Sequence, residues 1–330
     1  MNDASDASDA SDARDASDAS DGDSGLILHH FDSSPFSEKV RLILGFKQLA
    51  WRSVSVPIML PKPDVVALTG GYRRTPFLQV GADIYCDTAL IGRVIDGRTP
   101  QPPLYPAAAG GLQHLVAQWA DSTLFWTAIP YAMQPAGAAH MFAGVPPELL
   151  KAFAADRAAM TAGMRRVTAL DAAAQLASYL AWLESLLAPG HAFLLGDTPC
   201  IADFSVAQSL WYIHRAPPVL GVVAPFAKLL GWYERVIALG HGRPEKLSSD
   251  DAIRVAAQAR THAATQVEPG LGFEAGAQIT VSAIDYATDL VPGTLVGLST
   301  TEVVIERRDE RAGTVHVHFP RFGYQIKKPS

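Results

Sequence analysis

Residues 26–44 read LILHHFDSSPFSEKVRLIL: an apolar run, a Ser-Ser-Pro break, then apolar residues at helical spacing. Leu26 to Phe31 suit a buried strand, and Val40, Leu42, Ile43 and Phe46 recur as on one face of a helix. Ser53 to Val56 alternate like a second strand, and a Pro-rich loop and the short run Asp64 to Leu68 follow. Thr75 to Val80, a turn, and Ile84 to Cys86 then read as two strands before a helix that opens at Asp87. The order βαβ, α, ββα describes an α/β domain over residues 26–100.

Away from this stretch the composition changes on both sides. TPQPPLYP at 99–106 closes the domain, and residues 107–245 are Ala- and Leu-rich, as in ALDAAAQLASYLAWLESLLA at 169–188. They read as an all-helical bundle. The period switches again near Gln278: Gln278–Ser282, Thr294–Leu298, Val303–Arg307 and Thr314–Phe319 are short, β-branched and separated by turns. Residues 268–330 are therefore expected to form a small all-β barrel or sandwich of their own, joined through 247–267. About 60 residues bury too little surface to stand alone, so this module should pack on the body through Phe322 and Tyr324. It is expected to stay outside the active site, so truncation after Leu247 should cost stability more than ligand binding.

Upstream, residues 1–25 repeat Ala-Ser-Asp with an Arg14 interruption and no apolar anchor, which predicts a disordered tail and not a secretory signal. That tail holds eight Asp against one Arg, so the chain's net charge of −6 leaves the remaining residues at +1. A near-neutral body is not the footprint of a nucleic-acid binder. With 48% hydrophobic residues the chain can bury cores, and its two cysteines, Cys86 and Cys200, allow no disulfide framework. No apolar run is long enough for a membrane-spanning helix. A cytoplasmic location and no membrane partner are expected.

The chemistry centres on residue 34. Where a thiol-disulfide enzyme carries C-x-x-C between strand and helix, this chain has Ser34-Pro35-Phe36-Ser37, so it has no thiolate of its own. A hydroxyl at a helix start can still donate to another molecule's thiolate. This segment resembles the cytosolic glutathione transferases, and so do Thr75-Pro76 before a strand and Asp87-Thr88 opening a helix. A fourth match is FLLGDTPCIADF at 193–204, where Asp203 closes a capping box whose N-cap is Cys200 and not the family's Ser or Thr. The resemblance covers about 26–245 and implies a thioredoxin-like domain followed by an all-α domain. It implies a serine-type site of the tau or zeta kind, with glutathione as co-substrate and Ser34 as thiol activator. Thr75, preceding a cis Pro76, would pair with the glutathione cysteine backbone. Asp87 and Thr88 would hold the γ-glutamyl end.

The activity implied is thiolate attack on an apolar electrophilic small molecule by a homodimeric enzyme. A non-catalytic glutathione-fold binding or scaffold protein is the alternative, as is a glutathione-dependent isomerase or dehalogenase. Ser33 and Ser37 are the fallback hydroxyls. Trp119, Phe125, Trp126, Tyr131 and Met133 fall where the family lines its electrophile pocket, although aromatics at such positions are more often core. His29 and His30 point to opposite faces of a strand, so one should be buried and one exposed. His316 and His318 share a face and are expected to be solvated or to face a partner; two imidazoles alone make an incomplete metal site. No metal is expected.

Overall fold

In the computed structural model, which describes residues 25–328, the apolar run becomes β1 (Ile27–His30), with all four residues buried. The expectation of a disordered repeat tail falls outside these residues, Gly25 excepted. Ser34 caps α1 (Pro35–Phe46), where Pro35 suits the first helical position because its missing N–H would have no partner there. Then come β2 (Ala50–Ser55), α2 (Pro63–Thr69), β3 (Phe77–Val80), β4 (Asp83–Cys86) and α3 (Thr88–Arg98). β1 pairs in parallel with β2 and antiparallel with β3, which pairs antiparallel with β4. Alternation splits each strand between two cores. Leu28, Leu78 and Tyr85 join α1, α3 and the helical domain, whereas Phe77, Ile84 and Cys86 face the other way.

The helical domain runs through α4 (Leu112–Trp119), a π-helical turn at Ala120–Leu124, α5 (Phe125–Ala132), α6 (Pro135–Met141), α7 (Pro147–Met160), α8 (Ala169–Leu186), α9 (Ile201–His214) and α10 (Ala227–Ile237). Among the described residues no helix is long and apolar enough to cross a membrane. Asp203 starts α9 as expected. One oxygen accepts the Cys200 N–H at 2.8 Å, and the other accepts Leu194 N–H and the Trp232 indole at 2.9 and 2.7 Å. The helices do not fill the span to 245. After α10, residues Arg243–Lys246 form an exposed strand, β5, parallel to β2 at one edge of the sheet.

After α11 (Ser249–Gln258) come β6 (Gln278–Ala283), β7 (Val291–Leu298), β8 (Glu302–Asp309), β9 (Gly313–Pro320) and β10 (Tyr324–Lys327). All ten strands form one sheet in the order β10-β6-β7-β8-β9-β4-β3-β1-β2-β5. The link 321–323 joins the two outer strands of the C-terminal group, so that group curls on itself. The expectation of a module apart from the rest is corrected here, because β9 runs parallel to β4 with Asp83 beside His316 and Tyr85 beside His318. The physical reason is the β4 edge, whose backbone groups need partners. The His316 N–H, for example, donates to the Ala82 carbonyl at 3.0 Å. The pairing also completes the second core, in which Val315, Val317 and Phe319 pack with Phe77, Ile84 and Cys86.

The histidine expectations change with the sheet. His29 and His30 do face opposite ways, but both are buried, because β1 is central and covered on both sides. His29 stacks on Phe77 and bonds Gln79, while His30 bonds Ser53 and Arg41. His316 and His318 share a face as expected, yet they are buried against β4 and not solvated. Of the two residues expected to contact the body, Tyr324 is buried and Phe322 is exposed.

Candidate active site

Ser34 sits in extended backbone (φ −84°, ψ 122°) ahead of α1, as an N-cap must. Its hydroxyl oxygen accepts the Ser37 N–H at 3.1 Å. The hydroxyl hydrogen points to the Thr75 carbonyl at 3.5 Å, the outer limit of a hydrogen bond. The side chain is buried and lies behind the wall of the neighbouring cavity. Of the fallback hydroxyls, Ser37 is fully buried and Ser33 half-buried.

The neighbouring cavity, of about 470 Å³, is where the other candidates meet: Thr75, Pro76, Asp87 and Thr88 all line it. The Thr75–Pro76 peptide is cis, as expected. Asp87 holds a positive φ of 78°, a region that side chains other than Gly rarely adopt. That backbone presents its carboxylate to α3, where Oδ1 accepts the Ala89 N–H at 2.9 Å. The first turn of α3 and the Thr88 hydroxyl face the same space, a suitable place for a carboxylate.

Sequence reading missed Lys39. Its ammonium is completely buried, donating to Thr88 Oγ1 at 3.1 Å and to Asp121 Oδ2 at 2.6 Å. Asp121 comes from the π-helical turn, and its other oxygen accepts the Gln208 amide at 2.7 Å. Burial pushes the Asp121 carboxyl up, and the Lys39 charge opposes that shift. Because Lys39 donates to the Thr88 oxygen, the Thr88 hydrogen is left to donate into the cavity. Near the other end, Lys62 approaches Thr75 Oγ1 at 3.4 Å, and burial pushes its ammonium down to about 8.

The larger omission is the C-terminal strands. Asp285, Tyr286, Phe322 and Tyr324 line the same cavity. Tyr324 donates its hydroxyl hydrogen to either Asp87 Oδ2 or the Tyr72 oxygen, both 3.3 Å away. Arg74, next to Thr75, is clamped by the Asp285 carboxylate and the Tyr286 carbonyl, its guanidinium 3.8 Å from the Tyr286 ring centre. The expectation that the module stays outside this region is therefore corrected. None of Trp119, Phe125, Trp126, Tyr131 and Met133 lines the cavity. Two of them stand behind it: Phe125 supports Phe36 (ring centres 4.6 Å apart) and Trp126 supports Tyr286 (5.1 Å).

The chain is similar to known proteins in sequence and in fold. The glutathione S-transferase N-terminal domain profile matches residues 28–103, and the C-terminal domain profile matches residues 151–235. Among solved structures, a GST-like protein from Pseudomonas syringae is 39% identical over 92% of this chain and 99% of its own, with a TM-score of 0.76. A glutathione transferase from Phanerochaete chrysosporium shares the fold at 19% identity, covering 65% of this chain and 96% of its own, with a TM-score of 0.52. A search of curated proteins returned no match. With both domains matched and a relative of this similarity spanning nearly the whole chain, the protein belongs to the glutathione S-transferase family.

Proposed function

We propose that the protein is a glutathione transferase that activates the glutathione thiol for attack on an apolar electrophilic small molecule, working as a cytoplasmic homodimer. The observation that carries this reading is the meeting of Thr75, Pro76, Asp87 and Thr88 on one cavity wall. The γ-glutamyl carboxylate would take the Thr88 hydroxyl and the free N–H groups of α3, with its ammonium on Asp87 Oδ2. The cysteine backbone would pair with Thr75 as an added strand does. Its N–H would then occupy the Thr75 carbonyl and free the Ser34 hydrogen for the thiol sulfur.

A free cysteine thiol has a pKa near 8.5, and lowering it by two units requires about 2.7 kcal/mol of preference for the thiolate. A charge-assisted hydrogen bond, worth about 1.5–3 kcal/mol, covers most of that. The thiol proton passes to solvent and the sulfur lone pair forms the new bond to carbon. The leaving group departs with the bonding pair. Both cysteines of the protein are unpaired and buried, in keeping with a reducing compartment.

One observation favours the non-catalytic alternative: Ser34 lies behind the cavity wall, with its oxygen already engaged as a cap. Ser34→Ala separates the two readings. If Ser34 activates the thiol, turnover on an electrophile panel falls at least 100-fold, about 2.7 kcal/mol of barrier. Glutathione affinity by calorimetry then stays within a few-fold, and the bound-thiol pKa, read by ultraviolet absorbance, rises. Glutathione binding without turnover in the unaltered protein would support a binding protein, and no glutathione binding would overturn both readings.

A further inference from the structure

The seam between β4 and β9 holds a cluster unrelated to the cavity chemistry. One ligand atom each of Asp83, His262 and His316 lies within 4.8 Å of the other two. The histidine rings stack at 3.7 Å between centres and 15° between planes. Each turns Nδ1 toward the same oxygen, Asp83 Oδ1, at 3.7 Å from His262 and 3.9 Å from His316. Both Nδ1 atoms are buried and neither has a hydrogen-bond partner. Such orphaned buried atoms are uncommon and require a cause.

The surroundings give one. Across His316, Nε2 faces Glu306 Oε2 at 3.5 Å, which favours the proton on Nε2 and leaves a bare lone pair on Nδ1. That lone pair looks at a carboxylate oxygen, an arrangement that is repulsive unless something positive lies between them. Asp83 is held in place from two further directions. His318 Nε2 donates to Oδ1 at 2.9 Å while its Nδ1 reaches Glu302 at 2.7 Å, and the Ala263 N–H donates to Oδ2 at 2.9 Å. Hydrogen bonds donated to a ligating carboxylate in this way are usual in the outer shell of a metal centre.

We propose that Asp83 Oδ1, His262 Nδ1 and His316 Nδ1 form a binding site for a divalent transition-metal ion, best suited to zinc. Bonds of about 2.0–2.1 Å in a tetrahedron set ligand atoms about 3.3 Å apart. The two nitrogen-to-oxygen separations exceed that by about half an ångström, and the nitrogens lie within 4.8 Å of each other. The stacked rings must turn toward a shared point for both lone pairs to reach one ion. Two imidazoles and one carboxylate are a zinc donor set; magnesium and calcium take oxygen ligands. Three protein ligands leave one position for water, and His262 is the side from which solvent enters, at 23% side-chain exposure. The ion would tie the segment after α11 to both β4 and β9. In this way it would staple the C-terminal strands to the rest of the sheet.

The test uses the full, tag-free chain and does not depend on glutathione chemistry. Zinc titrated against a chromophoric chelator should bind in one equivalent. Cobalt should give visible absorption bands of four-coordinate geometry, and saturating zinc should raise the Tm by about 5 °C. His262→Gln lies in a connecting segment and should fold. It should weaken zinc binding by at least about 100-fold, since even outer partners cost about 10–100-fold. Equal binding in that variant would assign the ion to other groups, such as the Asp-rich tail, and overturn the site. So would no zinc or cobalt binding at 100-fold molar excess.

Discussion

The two edges of the original four-stranded unit are finished in opposite ways. Beyond β2 the chain adds one short strand, β5, whose four residues Arg-Pro-Glu-Lys are all exposed. Beyond β4 it adds five strands with a shared apolar core, and these also carry one wall of the cavity. At the first edge, backbone hydrogen bonds hold the chain: the Arg243 N–H donates to the Leu49 carbonyl at 2.8 Å and the Leu247 N–H to the Ser53 carbonyl at 2.9 Å. At the second, buried side chains do. The difference teaches that capping an edge requires little, whereas building a site on it requires a core.

Removing that core should give the largest effect. Phe319 is fully buried and its ring lies 5.8 Å from Tyr72 and 5.6 Å from Tyr324. Phe319→Ala should cost about 3–5 kcal/mol in urea unfolding, while Glu245→Ala in β5 should stay within about 0.5 kcal/mol. Equal costs would end the contrast between the edges.

The central strand supplies the next effect, through pH. Burial pushes His29 and His30 down to about 4 from an unfolded value of 6.5. Between those values the unfolded chain takes up protons that the folded chain refuses. Their stabilising contribution is therefore full above pH 6.5 and is lost as pH falls toward 4, by about 1.4 kcal/mol per unit for each histidine. His29→Leu should remove about half of that slope between pH 6 and 4.5, measured by urea midpoints. An unchanged slope would mean that the His29 ring is not held neutral.

The smallest effect sharpens the comparison most. Tyr324→Phe deletes one hydroxyl shared between Tyr72 and Asp87. It should cost about 1 kcal/mol of stability and weaken glutathione binding several-fold. Binding unaffected by this change would reduce the added strands to a cover for the edge.

What could be read from the sequence follows from distance along the chain. Ser34, Thr75, Asp87 and Thr88 sit at strand ends and helix starts, where local residue types fix the backbone, and three of those four meet on the cavity. Arg74 finds Asp285 across 211 positions and Asp83 finds His318 across 235, and no local period encodes either meeting. Alternation placed His316 and His318 on one face, but which strand lies beside that face depends on pairing register. His29 and His30 show the same limit. Their opposite directions follow from the pleat, but the cover over both faces comes from residues far away. Lys39 was hidden because its partners Thr88 and Asp121 lie 49 and 82 positions off.

The pairing of β9 with β4 also sets a timetable. A ribosome that has made Cys86 must add more than two hundred residues before Phe319 exists, which at about 5–20 residues per second takes roughly 10–50 s. For that interval the Phe77, Ile84 and Cys86 face of the newborn sheet has no lasting cover, and its β4 edge is open to any passing strand. The protein should therefore depend on chaperones while it is being made, far more than its finished stability would imply.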